Sequence, residues 1–155
     1  MARISGGATE QNLVTNRRAS FDYYLEDFFE AGIALVGTEV KSLRAAKANL
    51  VDAWVDVSDG VARLVGCHIS PYEQGNRNNH DPLRVRPLLL HASEIARMRK
   101  AVTEKGLTIV PVRIYLKGSR VKVEIAIARG KKTYDKRESI KEREAQRELH
   151  RIRAR

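Results

Sequence analysis

The sequence predicts an α+β fold, mainly β, built on a small antiparallel barrel. Three observations point there. Two segments alternate apolar and polar residues at the strand period and break at glycine-containing turns. Two stretches combine helical apolar spacing with start or stop signals. A hydrophobic content of 43% over 155 residues suits one domain with its own core.

The first segment, "MARISGGATEQNLVTNRRAS", lacks an apolar stretch of the kind a secretion signal needs. Its Gly, Thr, Asn and Gln content predicts a flexible leader over residues 1–15. In "FDYYLEDFFEAGIALVG", Phe21, Tyr24, Leu25 and Phe28 fall at helical spacing, whereas the aromatic and β-branched content favours strand. The residues alone leave both open, with Ala31–Gly32 as a site for a bend or bulge. "TEVKSLRAAK" reads as a short helix capped by Thr38 and anchored by Val40 and Leu43.

In "AWVDVSDGVARLVG", Val55 and Val57 flank Asp56, and Asp59–Gly60 signals a two-residue hairpin turn. "SPYEQGNRNNHDPLRVRP" has the composition of a long surface loop. "SEIARMRKAVTEKG" reads as a helix with Ser93 as cap, Ile95, Met98 and Val102 on one face and Gly106 as stop. "TIVPVRIYLKGSRVKVEIAIA" predicts a second hairpin. Val110, Val112, Ile114 and Leu116 share one side of its first strand, and Val121, Val123, Ile125 and Ile127 share one side of its second. Gly118–Ser119 forms the turn, and Pro111 requires an edge or a bulge.

The net charge of +10 favours a polyanionic partner, nucleic acid before membrane. No run approaches the ~18 apolar residues of a membrane span. One cysteine, Cys67, permits no internal disulfide, which fits a cytoplasmic protein. His68, His80, His91 and His150 are dispersed, no zinc set or phosphate-binding glycine loop is present, and no cofactor is expected. Cys67 and His68 read as a partly buried strand pair. The basic clusters Arg17–Arg18, Lys41/Arg44/Lys47, Arg84/Arg86, Arg97/Arg99/Lys100 and Arg129/Lys131/Lys132 are the better lead, with Tyr23, Tyr24 and Tyr72 available to stack on bases. They predict phosphate contacts and recognition of folded RNA by shape.

The end of the chain, "YDKRESIKEREAQRELHRIRAR", carries Arg143, Arg147, Arg151 and Arg155 four residues apart. Like charges at that spacing repel by about 0.2–0.5 kcal/mol per pair. Ala145, Leu149 and Ile152 form a narrow apolar line. Residues 134–155 are therefore expected to be a basic tail, disordered when free and helical once a polyanion relieves the repulsion.

"NRRASFDYYLEDFFEAGIALVGTEVKSLRAAKANLVDAW", then "RPLLLH", then "ARGKKTYDKRESIKERE" resembles the SsrA-binding (SmpB) family, in the same order from about Asn16 onward. The resemblance implies an OB-like barrel over 16–133 and makes "YYLEDFFEAGIALVG" a strand. It implies a non-enzymatic protein that binds the tRNA-like part of transfer-messenger RNA and enters stalled ribosomes with it for trans-translation. The RNA-binding positions carry over to Asn16, Arg17, Arg18, Glu30, Glu39, Lys41, Ser42, Arg44, Lys47 and Asn49. Gly130, Lys131 and Lys132 follow where the barrel runs into the tail, the two lysines adding charge beside Tyr23 and Arg129.

The resemblance also places the tail in the vacant messenger channel beyond the small-subunit decoding centre, as a helix. Asp135, Lys136 and Arg137 match the family's "DKR" element, and Tyr134 stands where some relatives have histidine. Ile140, Lys141, Arg143 and Arg147 follow on the same segment. The expected partners are thus transfer-messenger RNA and the ribosome, with no membrane and a monomeric protein. The rivals are a ribosomal or tRNA-binding accessory protein, and an RNA-processing enzyme using Asp52, Asp56 and Asp59 around a metal. Exposed strand and turn positions explain those aspartates more simply.

Overall fold

Strand-period alternation around Gly118–Ser119 yields the longest hairpin of the computed structural model, which describes residues 9–153. Its strands are β8 (Thr108–Lys117) and β9 (Arg120–Gly130), and Gly118 turns at φ +63°. In β9, Val121, Val123, Ile125 and Ile127 face one core, as expected. In β8 the expected single side breaks. The ladder shifts register between Pro111 and Arg113, so Ile109 and then Ile114 and Leu116 face that core. Val110 packs on the opposite side with Ala19 and Ala128. Pro111 therefore sits at a bulge, and β8 lies inside the sheet, because an extra residue reverses the alternation beyond it.

The strand β1 (Glu10–Thr15) pairs antiparallel with β8, so the second half of the expected leader belongs to the sheet. Leu13 is its buried anchor, a pattern too short to stand out in a polar sequence. Residues 1–8 lie outside the described ones. A one-turn helix, α1 (Ala19–Asp22), leads into β2 (Tyr23–Ile33), which pairs with β9. The aromatic run is strand, and its irregularity falls between Leu25 and Phe28 rather than at Ala31–Gly32.

Helix α2 (Gly37–Arg44) precedes β3 (Ala48–Asn49). Its cap is not Thr38: Glu39 accepts a hydrogen bond from the Val36 N–H at 2.9 Å, and Thr38 lies within the first turn. Strands β4 (Trp54–Asp56) and β5 (Arg63–Val65) make the other hairpin. Its connection is longer than two residues, because Val57 and Ala62 are drawn into the core on either side of Gly60. Cys67 is fully buried, and His68 is exposed in β6 (His68–Ile69), which pairs with β3.

The expected loop contains a 3₁₀ turn (Glu73–Asn78) and ends in β7 (Arg86–Leu89). Helix α3 (Ala92–Lys105) is capped through His91 and Glu94 rather than Ser93, and it stops at Gly106 with φ +63°. The final helix, α4, spans Thr133–Arg153.

The main sheet runs β1-β8-β9-β2-β7-β5-β4, with neighbours antiparallel. It curls until β4 lies against β8, yet no ladder closes it among the described residues. The fold is thus mainly an antiparallel sheet with a few helices. Ile109, Ile114, Val123 and Ile125 are fully enclosed within the curl, each burial contributing about 1.5–3 kcal/mol. No helix among the described residues is long and apolar enough to cross a membrane.

Candidate nucleic-acid interface

Asn16 ends β1 as a buried strut. Its side-chain amide donates to the carbonyls of Pro111 (2.9 Å) and Leu50 (3.3 Å), and its N–H donates to Val112 O (2.8 Å). This amide ties the β8 bulge to the segment after β3. Arg17 and Arg18 follow it directly and are exposed. Asp22 meets Arg18 at 3.6 Å and Lys136 of α4 at 3.5 Å.

At the far end of the β2–β9 ladder, Tyr23 pairs with Gly130 and Tyr24 with Arg129. Arg129 is held by Glu26 at 2.8 Å but stays mostly exposed. Lys131 points inward. Its ammonium donates to Ser20 O (3.0 Å) and Ser139 Oγ (2.9 Å) and lies 4.9 Å from the Tyr24 ring. Lys132 is exposed.

The second basic surface belongs to α2. Lys41, Arg44, Lys47 and Asn49 are exposed, whereas Glu39 and Ser42 are buried. Lys41 sits 5.3 Å from the Tyr72 ring, and Lys47 lies 3.7 Å from Glu73. Lys47 is presented by a turn in which its N–H donates to Ser42 O and the Ala46 N–H donates to Leu43 O. That turn requires a left-handed residue, and Ala46 supplies it at φ +57°.

Beneath this surface, Glu39 accepts from Arg84 at 2.5 Å and from the Arg86 Nε–H. Burial pushes the Glu39 carboxyl up, but bonds from Arg84, the Val36 N–H and Arg86 outweigh it and hold it below its ordinary value. Arg86 also donates to Cys67 O at 2.6 Å. Desolvation raises the Cys67 thiol to about 11, leaving it unreactive at neutral pH.

Glu30 occupies a third place, on the exposed face of β2. The Tyr115 hydroxyl donates to it at 2.5 Å, and Lys117 lies 3.2 Å away. The Tyr115 bond is the first cause of a lowered Glu30 pKa, against opposing desolvation. Burial, followed by Glu30, raises Tyr115.

The segment expected to form the tail is helical in α4 over Thr133–Arg153. Its root is docked through Lys131 and Ser139, through Asp22 and Lys136, and through Arg143 placed 5.4 Å from the Phe21 ring. Ser139 in turn donates to Asp135 O at 3.1 Å. These contacts supply the nucleus that the charged sequence lacks. Arg137, Ile140, Lys141 and Arg147 are exposed along it, and the Tyr134 side chain lies outside the described ones.

Known proteins place the chain in a family. The family model described as "SmpB protein" matches residues 13–155. The chain belongs to the SmpB protein family. An SsrA-binding protein of Symbiobacterium thermophilum is 54% identical over 152 residues, covering 97% of this chain and 95% of the relative. One from Desulforudis audaxviator is 52% identical, covering 92% and 93% respectively. A solved chain from work titled "tmRNA-SmpB: a journey to the center of the bacterial ribosome" is similar at a TM-score of 0.67. It is 44% identical, over 86% of this chain and 94% of that one.

Within this SmpB-family chain, the sequence-predicted positions divide by burial. Arg17, Arg18, Glu30, Lys41, Arg44, Lys47, Asn49, Arg129, Gly130 and Lys132 are open to a partner, and Tyr23 is half-buried. Asn16, Glu39 and Ser42 are buried. Arg84 and Arg86 form internal bonds instead of the free basic cluster expected. Arg86 was readable in principle: it alternates with buried Leu88 across Pro87 at the strand period. Asp22 and Phe21, which hold the tail, carried no motif. Among the described residues, no cluster of His, Cys, Asp or Glu is arranged for a metal.

Proposed function

We propose that this chain binds the tRNA-like part of transfer-messenger RNA and carries it into stalled ribosomes for trans-translation. The observation that carries the reading is the separation of roles along the mapped positions. Asn16 and Glu39 build the surface from inside, and Arg17, Arg18, Lys41, Arg44, Lys47 and Lys132 stand outside to meet phosphates. The sheet's curl onto β8 supports an OB-like barrel over 16–133, the scaffold such a surface needs. Glu30, fixed by Tyr115 and Lys117, is suited to accept from a base edge.

The tail over 134–155, whose charges are exposed from Lys141 to Arg153, is read as the element that enters the messenger channel. On this reading the protein is a cytoplasmic monomer that catalyses nothing itself. Sequencing of RNA that co-purifies from cells tests it: one enriched transfer-messenger RNA is expected. Broad recovery of structured RNAs favours a general ribosomal or tRNA-binding accessory protein instead.

A further inference from the structure

Trp54 is the chain's single tryptophan, and it is 44% exposed at the start of β4, the edge strand of the main sheet. Its neighbours Ala53 and Val55 are buried, so the strand is pinned while the indole faces outward. The preceding turn is held equally firmly. Gly66, at φ +77°, packs so closely that a Cβ there would meet Asp52 O at 2.8 Å.

The indole borders an open groove of about 400 Å³. Arg18, Tyr23 and Asp52 line it as well, and Val110 lines it from β8. Two features distinguish this groove from a generic apolar dent. Asp22 is already engaged by Arg18 and Lys136, whereas Asp52 enters no ion pair among the described residues. Arg18 keeps 60% of its side chain exposed at the rim, next to exposed Arg17.

We propose that this groove is a subsite for one unpaired nucleobase of the bound RNA. The base stacks on the Trp54 indole, its adjoining phosphate meets Arg17 or Arg18, and Asp52 accepts from an exocyclic amine. A flat aromatic face suits any base, a cationic rim suits the backbone, and a lone carboxylate favours bases that carry an amine. The inference rests on the proposed RNA-binding function and adds a contact that no charge pattern indicates.

Because Trp54 is the chain's sole tryptophan, its fluorescence reports the surroundings of this indole alone. Titration with the tRNA-like domain of transfer-messenger RNA should quench it, with saturation at the affinity measured in parallel by gel shift. Trp54→Ala should weaken binding roughly ten-fold, and Trp54→Phe should restore most of it, since stacking survives. Thermal melting checks that each variant is folded, and quenching of the unaltered chain needs no variant. Normal gel-shift affinity with unquenched tryptophan, or with a folded Trp54→Ala chain that binds equally well, overturns the subsite and leaves the RNA-binding function standing. Absence of any RNA binding overturns both.

Discussion

Arg86 donates its Nε–H to the Glu39 carboxylate with both side chains fully buried, and this pair fixes α2 to the strand β7. A buried ion pair is weak evidence of net stabilisation, but removing one partner strands the other. Glu39→Ala should therefore cost about 3–5 kcal/mol. Thermal and urea unfolding measure it, and an unchanged melting temperature would refute the arrangement. The same pair predicts acid sensitivity. Glu39 and Glu30 titrate below the ordinary 4.5 in the folded chain, so their contribution is complete above that value and disappears as pH falls through the folded values. A melting-temperature profile should drop below pH 4.5, and Glu39→Gln should make that limb shallower.

Ala46 closes α2 in the left-handed region, where a Cβ costs roughly 1–2 kcal/mol. Ala46→Gly removes that strain but adds freedom to the unfolded chain, so a net gain of about 1 kcal/mol is expected. The turn that presents Lys47 stays the same, and RNA affinity should change little. Lower stability on calorimetry would mean that the φ of +57° carries no strain.

Lys131 and Lys132 are neighbours with different duties. Lys131 is spent on Ser20, Ser139 and Tyr24, whereas Lys132 is exposed. Lys132→Ala should flatten the logarithmic salt dependence of RNA binding by about one unit. Lys131→Ala should mainly loosen the tail root. Equal slopes for Lys132→Ala and the unaltered chain would remove Lys132 from the phosphate contacts.

This contrast shows where the sequence was legible. The β8–β9 hairpin could be read because Val121, Val123, Ile125 and Ile127 alternate without interruption before one core. The burial of Asn16 and Glu39 could not, since the Asn16 amide donates to groups 34 and 95 residues away and the arginines on Glu39 lie 45 and 47 residues away. Pattern reading sees i, i+2 and i, i+4 neighbours, and such partners appear only when the sheet brings them together. The β8 bulge hid a core face for the same reason: one inserted residue inverts a period-two pattern that otherwise looks continuous. The contacts at the tail's root were equally hidden, since Phe21 and Asp22 stand more than a hundred residues before Arg143 and Lys136.

The docked root divides α4 into two regimes. Lys131, Lys136, Ser139 and Arg143 tie its first turns to α1, whereas every residue from Ile140 to Arg153 is exposed. Beyond the last tie, the ion pair found among the described residues is Glu148–Arg151 at 4.0 Å, and such a pair contributes a few tenths of a kcal/mol. Hydrogen exchange should therefore show protected amides up to about Arg143 and fast exchange beyond it. Phe21→Ala should move that boundary toward Thr133 with little effect on RNA affinity. Deletion of residues 134–155 should likewise spare RNA binding but abolish peptide tagging on stalled ribosomes. Uniform protection along the helix would show that its distal half is stable without a partner, and normal tagging by the truncated chain would remove the tail from decoding.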